Sequence, residues 1–442
     1  LVARVIGSLL GLVAAAIAAL GIVAAGPLVD LLAPGFSPAT RALTVQLVQI
    51  MFPGMTLLVM SAWCLGVLNS HRRFFLSYVS PVLWSVAIIG AAFAAGGWLA
   101  SDDAELATWL AIGVVVGSGL QFLVQLPTVV RLLRGLSPSL AVDDPGVRTT
   151  LRAFVPVLVG RGSVQISAYI DQVLASYLGA GIVAAMSLAQ TLYLLPISLF
   201  GMAISAAELP EMSGALGDAE ARSAQVQKRL QDSLRRVAFL VVPSAMAFLM
   251  IGGSLVALVF ETGRFGNNEA DIVWGILIGS SLGLIPNTQG RLLASAFYAL
   301  GDPKAPLRAA LVRVAITIIL GYVMTMPLRE AMGYSERVAA MGLTGASSAA
   351  AWIEAAILYF LLRKRIGRVP LPVRLTIGAI GASALAGVAA FAITYFGLSI
   401  APYSWQAGLV AGGIFGAVYL GVMIVAKVPE AAGFARRLRL RR

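Results

Sequence analysis

The sequence predicts an all-α polytopic membrane protein, with about twelve transmembrane helices arranged as two pseudo-symmetric lobes. Three observations carry this expectation. Of 442 residues, 59% are hydrophobic and 12% charged, and the mean hydropathy is +0.90. That leaves too little charged surface for a soluble fold of this length. The apolar residues form runs of about 20 or more, each long enough to cross a ~30 Å hydrocarbon core, and the alternating segments of about 10 residues expected of a membrane barrel do not occur. Finally, blocks of sequence recur at an offset of about 230 residues.

The apolar runs lie at 5–33, 43–69, 76–100, 105–134, 151–178, 182–207, 235–260, 271–300, 306–328, 338–363, 372–398 and 405–427. A signal peptide is the rival reading of the first, but the run exceeds the apolar core of such a leader. It reads as a spanning helix at an artificial start, so the chain reads as a fragment. Connections are short and marked by Gly, Pro, Asn or Asp. The longest, 208–234, carries Glu211, Asp218, Glu220, Arg222, Lys228 and Arg229 and reads as a solvated amphipathic linker. Glu208, at the inner end of the sixth run, reads as interfacial.

The net charge of +12 does not indicate nucleic acid. Most Lys and Arg sit in alternate loops between apolar runs, where they act as topology signals facing anionic lipid. The asymmetry puts both termini in the cytoplasm. Loops at Arg72, Arg148, Arg222, Lys304 and Arg365 are then inside, and those at Asp102, Arg264 and Glu336 outside. One cysteine, Cys64, excludes an intrachain disulfide, and one histidine, His71, offers no zinc or haem spacing. There is no P-loop and no nucleophile elbow. A non-enzymatic membrane protein without a cofactor is expected, and transport would draw on an ion gradient, the membrane potential or a downstream sink.

The repeat pairs GPLVDLLAPGF (26–36) with GSLVALVFETGRF (253–265). It then pairs two helices broken by proline, MFPGM at Pro53 and LIPNT at Pro286, and two inner turns, LNSHRRF (68–74) and LGDPKAP (300–306). Helices one to four thus match helices seven to ten. The expected units are an N-terminal lobe at 1–134 and a C-terminal lobe beginning with five helices at 151–328 and ending at 338–363. An extra helix pair at 372–427 and a basic cytoplasmic tail at 428–442 follow. In the second copy two helices precede the repeated block, so two helices are expected ahead of Leu1. Repeated lobes with a site between them are common in transporters.

Ionisable groups within spanning helices face a cavity or a partner by default. In the fifth run Arg161, Gln165 and Gln172 share one face, with Asp171 about 80° round from Arg161. They read as a polar wall for an anionic headgroup, the alternative being a buried brace. Gln190, Thr191 and Tyr193 lie mid-helix in the sixth run before Pro196, and Asn287, Gln289 and Arg291 follow Pro286, where polar groups can satisfy the carbonyl that proline frees. Arg313 and Glu354 would snorkel or pair.

In order and spacing, several segments resemble the MurJ/MviN family of lipid II flippases. That family belongs to the superfamily of multidrug, oligosaccharidyl-lipid and polysaccharide exporters. The segments are APGF at 33–36, FPG at 52–54, GVLNSHRRF at 66–74, SP at 80–81, LQFLVQLP at 120–127 and QIS at 165–167. ELPEMS at 208–213, FETGRF at 260–265 and AFYALGDPKAP at 296–306 complete the set. The resemblance implies fourteen helices in two lobes around a central cavity, the first two absent here. It implies alternating access, a lipid-linked disaccharide–pentapeptide substrate, membrane lipids and a coupling ion as partners, and a bacterial inner-membrane location. Nucleic acid is not an expected partner. The chain departs from the family where an Asp-Arg pair is implied six and five residues before Pro196, for it has Gln190 and Thr191. The substrate and cavity residues expected are therefore Arg161, Gln165, Asp171, Gln172, Gln190, Thr191 and Arg291. The rival readings are an ion-coupled exporter of small amphipathic molecules, favoured by that departure, and a non-transporting scaffold or degenerate paralogue.

Overall fold

A computed structural model describes residues 2–99, 102–135, 141, 143–202, 219–263, 265–302 and 304–431, with the side chains of 152–153, 155–168, 201–202 and 219–223 outside the description. The described chain is helical: α1 (Val2–Val23), α2 (Ala25–Leu32), α3 (Pro38–Ser70), α4 (Phe74–Ala94), α5 (Asp103–Leu132), α6 (Pro145–Ser176), α7 (Ala180–Pro196), α8 (Ala219–Phe260), α9 (Asn267–Ser281), α10 (Leu284–Ala299), α11 (Lys304–Thr325), α12 (Pro327–Met332), α13 (Glu336–Ile366), α14 (Val373–Phe391) and α15 (Trp405–Val425). Helices α4, α7 and α14 each end in a wider π turn. Among the described residues ten helices are long and apolar enough to cross a membrane, or eleven if α9 and α10, bent by 42°, form one span. The chain is a multi-pass membrane protein.

The chain divides into two compact units, Leu1–Ser163 and Val164–Arg442. In the first, α3 packs on α1, α2 and α5, and α4 packs on α5. Buried Trp63, Cys64, Val67, Leu68 and Val129 form its core. The Trp63 indole donates to the Ala3 carbonyl at 2.8 Å, tying α3 to α1. Ser61 accepts from the amides of Gln121 (3.0 Å) and Gln125 (2.7 Å), an interhelical polar seam of the kind that holds apolar helices together. On the short α2, which is not one of the spans, the Asp30 carboxyl is held below its usual range by the Arg41 guanidinium bonded to it from the start of α3.

In the second unit α9 and α10 pack on α8 and α13, and α11 packs on α13. The neighbour order of α1, α3, α4 and α5 thus recurs in α8, α9–α10, α11 and α13. Helices α14 and α15 pack on each other and on α8. On the α9–α13 seam, Thr344 and Ser348 donate to the carbonyls of Ile276 (3.0 Å) and Gly279 (2.7 Å). A Cβ at Gly279 would collide with Thr344 Oγ1 and the Met341 carbonyl, so only glycine fits. At the mouth of the α14–α15 loop, Tyr403 donates to Asp271 at 2.9 Å, and Asp271 also pairs with Arg337. Burial, together with Asp271, pushes the Tyr403 phenol up to about 12.

The structure corrects several sequence expectations. The first run divides at Ala24, because Pro27 lacks the N–H that would bond Val23. The ninth run likewise ends at Met326, ahead of Pro327. Pro53, by contrast, lies inside the continuous α3. The 208–234 linker is also revised. Residues 203–218, including Glu208, Glu211 and Asp218, lie outside the description, as do the Glu220 and Arg222 side chains and Arg264, but from Ala219 the chain is helix continuous with the span. Val226, Leu230, Leu234, Val237 and Val241 recur at spacings of three and four, and all are buried in the core. The charges between them hide this stripe from a reading of composition.

Broken helices free backbone carbonyls, and aromatic donors from neighbouring helices meet them. Pro243 leaves the Phe239 carbonyl without its helical partner, and the Tyr419 hydroxyl donates to it at 2.6 Å. Ile251 has non-helical dihedrals, and the Trp274 indole donates to the Phe248 carbonyl at 2.9 Å. Pro286 frees the Leu282 carbonyl, which the Trp352 indole meets at 3.0 Å. This repair, assigned from the sequence to Asn287, Gln289 and Arg291, belongs to Trp352. Tyr419→Phe is expected to cost about 1–3 kcal/mol by leaving a buried acceptor unsatisfied. Adding Pro243→Ala restores an N–H for that carbonyl, so the double variant is expected to regain most of the loss in thermal unfolding in detergent.

Candidate functional site

Charged and polar side chains converge inside the second unit from five helices. Asp171 on α6 accepts from Ser347 on α13 at 2.8 Å. Arg313 on α11 pairs with Glu354 on α13 at 3.0 Å, their side chains 26% and 18% exposed. Asn287 on α10 donates to the Tyr193 hydroxyl on α7 at 2.8 Å. Arg313 acts electrostatically on both Asp171 and Tyr193, and Arg291 acts on Tyr193, so the three pairs form one electrostatic group.

Local sequence explains the convergence. Ser347 and Glu354 are seven residues apart on α13 and share a face two turns long. Buried Ala346, Ala350 and Ala351 keep α13 slim beside its neighbours. On α11, Gly321 abuts Leu174 of α6 and Leu343 of α13, which draws these helices together. An isolated charge within a bilayer is costly, so two carboxylates and two guanidiniums in one neighbourhood satisfy each other electrostatically. The balance is incomplete: Arg313 Nε and Thr317 Oγ1, one turn apart on α11, are buried without a partner.

The seven residues expected from the sequence fare differently. Asp171 belongs to this group through Ser347, a partner on another helix. Arg291 is exposed beside it. Gln172, Gln190 and Thr191 are exposed in the same unit, and the Thr191 hydroxyl bonds its own helix at Ser187. The Arg161 and Gln165 side chains lie outside the described residues. Sequence reasoning missed Ser347. Its seven-residue spacing to Glu354 was the available signal, but serines in apolar helices are common enough to hide it.

Arg313→Ala leaves Glu354 uncompensated and is expected to destabilise the unit by about 2–3 kcal/mol, below the 3–5 kcal/mol of a fully buried pair because both groups are partly exposed. The Arg313→Ala, Glu354→Ala double variant should be less destabilised than the sum of the single changes, as apparent melting temperatures in detergent would show.

The chain as a whole has relatives among known proteins. The family model described as "Lipid II flippase MurJ" matches residues 1–415. The lipid II flippase MurJ of Burkholderia cenocepacia is 33% identical over 357 residues, covering 79% of this chain. The chain thus spans just under two thirds, 66%, of that relative's length. The solved structure titled lipid II flippase MurJ, inward closed conformation, aligns with a TM-score of 0.73 at 21% identity, covering 96% of this chain and 84% of that one. An inward-facing multidrug resistance MATE family transporter of the MOP superfamily aligns at 0.61 and 16% identity, over 82% of this chain and 80% of its own. These two likenesses show the shared fold. Given the family match across nearly the whole chain, the protein belongs to the lipid II flippase MurJ family.

Proposed function

We propose that the protein moves a lipid-linked peptidoglycan precursor, a polyprenyl-diphosphate disaccharide–pentapeptide, from the inner to the outer leaflet by alternating access. Its membrane is the bacterial cytoplasmic membrane, with both ends of this chain inside. The family match over 1–415 carries the reading. The recurring neighbour order supports two lobes with the divisions expected from the sequence, and the alternation of basic loops supports the orientation. In this reading Arg161, Gln165, Asp171, Gln172, Gln190, Thr191 and Arg291 form the polar wall that receives the diphosphate, with guanidiniums as charge-assisted donors. A coupling ion, the membrane potential or a downstream sink drives the cycle.

A second reading has its own support. Gln190 and Thr191 are uncharged and exposed where the family resemblance implies an Asp-Arg pair, which suits an exporter of small amphipathic molecules.

The test reconstitutes the chain in vesicles holding fluorescent lipid II and adds impermeant dithionite. Fluorescence lost from the inner leaflet faster than in protein-free vesicles is expected, and equal rates would overturn the flippase reading. Arg161→Ala and Arg291→Ala should each slow flipping about ten-fold if each removes about 1.4 kcal/mol of headgroup binding. Lysine at either position should recover part of the rate. For orientation, impermeant thiol reagents applied to intact cells should label a cysteine placed at Glu336 and spare one at Arg72. Labelling at Arg72 would reverse the topology.

A further inference from the structure

The end of α8 that carries basic residues holds a feature that the charged cluster does not use. A cavity of about 330 Å³ opens between α8 and the segment entering α14, lined by Gln231, Arg235 and residues 370–375. Its lining contains two guanidiniums, those of Arg235 and Arg374, and no carboxylate. Arg235 binds Glu430 through Nε (2.8 Å) and Nη2 (3.4 Å), which leaves Nη1 for another acceptor. Arg374 is exposed and has no partner among the described residues. The rest of the lining is apolar: Pro370, Leu371, Pro372, Val373 and Leu375.

A neighbouring cavity of about 230 Å³ gives an internal contrast. It shares Arg235 and adds Arg236, but Asp232 and Glu430 also line it, so its charges cancel. Only the first cavity has an excess of positive charge. From its mouth runs a row of exposed apolar side chains on α14, Val373, Ile377, Ile380, Val388 and Phe391, along a helix apolar and long enough to span the membrane. A cationic pocket with an apolar wall, continued by an apolar stripe, matches the two parts of an amphiphile.

We infer that this cavity seats the phosphate of an anionic glycerophospholipid, one of whose acyl chains lies along the exposed face of α14. Basic pockets between transmembrane helices at a membrane surface take such headgroups. The site is separate from the proposed translocation wall and requires only that the chain spans a membrane. A lipid held here would wedge the α8–α14 junction beside the Arg235–Glu430 pair and fasten the α14–α15 pair to α8.

Association of spin-labelled phosphatidylglycerol and phosphatidylcholine with the purified full chain, read as the motionally restricted fraction in electron paramagnetic resonance, tests the inference without any flipping. The chain should prefer phosphatidylglycerol. Arg374→Gln should cut that preference about five-fold, the effect of one interfacial cation worth about 1 kcal/mol. Arg374→Lys should keep most of it, and Arg308→Gln, at an exposed position elsewhere, should leave it unchanged. No preference in the unaltered chain, a preference surviving Arg374→Gln, or an equal loss in Arg308→Gln would each overturn the site. Displacement of the labelled lipid by millimolar inorganic phosphate would overturn the lipid assignment in favour of a free-anion site, whereas resistance to phosphate supports it.

Discussion

The second unit depends on one constraint: in a bilayer, a backbone carbonyl that loses its helical partner finds no water to replace it. Two such carbonyls, on Phe239 and Leu282, are met by Tyr419 and Trp352, and Trp274 meets the Phe248 carbonyl beside the kink at Ile251. Each donor comes from a different helix, so each repair is also a tertiary contact. The breaks that weaken α8 and separate α9 from α10 thereby fix where α15, α9 and α13 lie. Proline-induced defects become docking points, and the 42° bend between α9 and α10 is held by the indole of a third helix.

The same shortage of water organises the side chains. Hydroxyls of Thr344 and Ser348 bridge α13 to α9, and glycine at 279 lets the two backbones approach closely enough for them to reach. This seam holds α13 in place, and α13 supplies Ser347 and Glu354 to the charged group. Backbone repair, small-residue packing and charge pairing all meet on one alanine-rich helix. A charge within a membrane protein needs a partner, and α13 offers a hydroxyl donor to the Asp171 carboxyl on α6 and a counter-charge to Arg313 on α11.

The likeness to the flippase and multidrug-transporter structures is one of fold. A helical framework held by backbone-level contacts tolerates wide change in cavity residues, because the groups that fix the fold differ from those that meet solute. Gln190 and Thr191 are two side chains that this framework does not need. They are exposed on α7, the Thr191 hydroxyl is satisfied by its own helix, and the surrounding core of Ala185, Ala189 and Leu192 does not depend on their chemistry.

The sequence by itself determined that the chain crosses a membrane as helices, roughly where each helix lies, and to which family it belongs. Those properties depend on long apolar runs and ordered local motifs, which are one-dimensional. It also exposed Asp171, Arg313 and Glu354 as costly groups in need of partners, since a charge inside an apolar run stands out whatever surrounds it. Which partners they take was decided by tertiary structure: Asp171 turns to Ser347, 176 residues away, because α6 and α13 meet at Gly321 of α11. Tertiary packing likewise converted the charged stretch from Ala219 into helix, because its buried stripe finds a core to rest against. Helix position follows from local hydrophobicity. Pairing follows from which helices come close enough to exclude lipid and water between them.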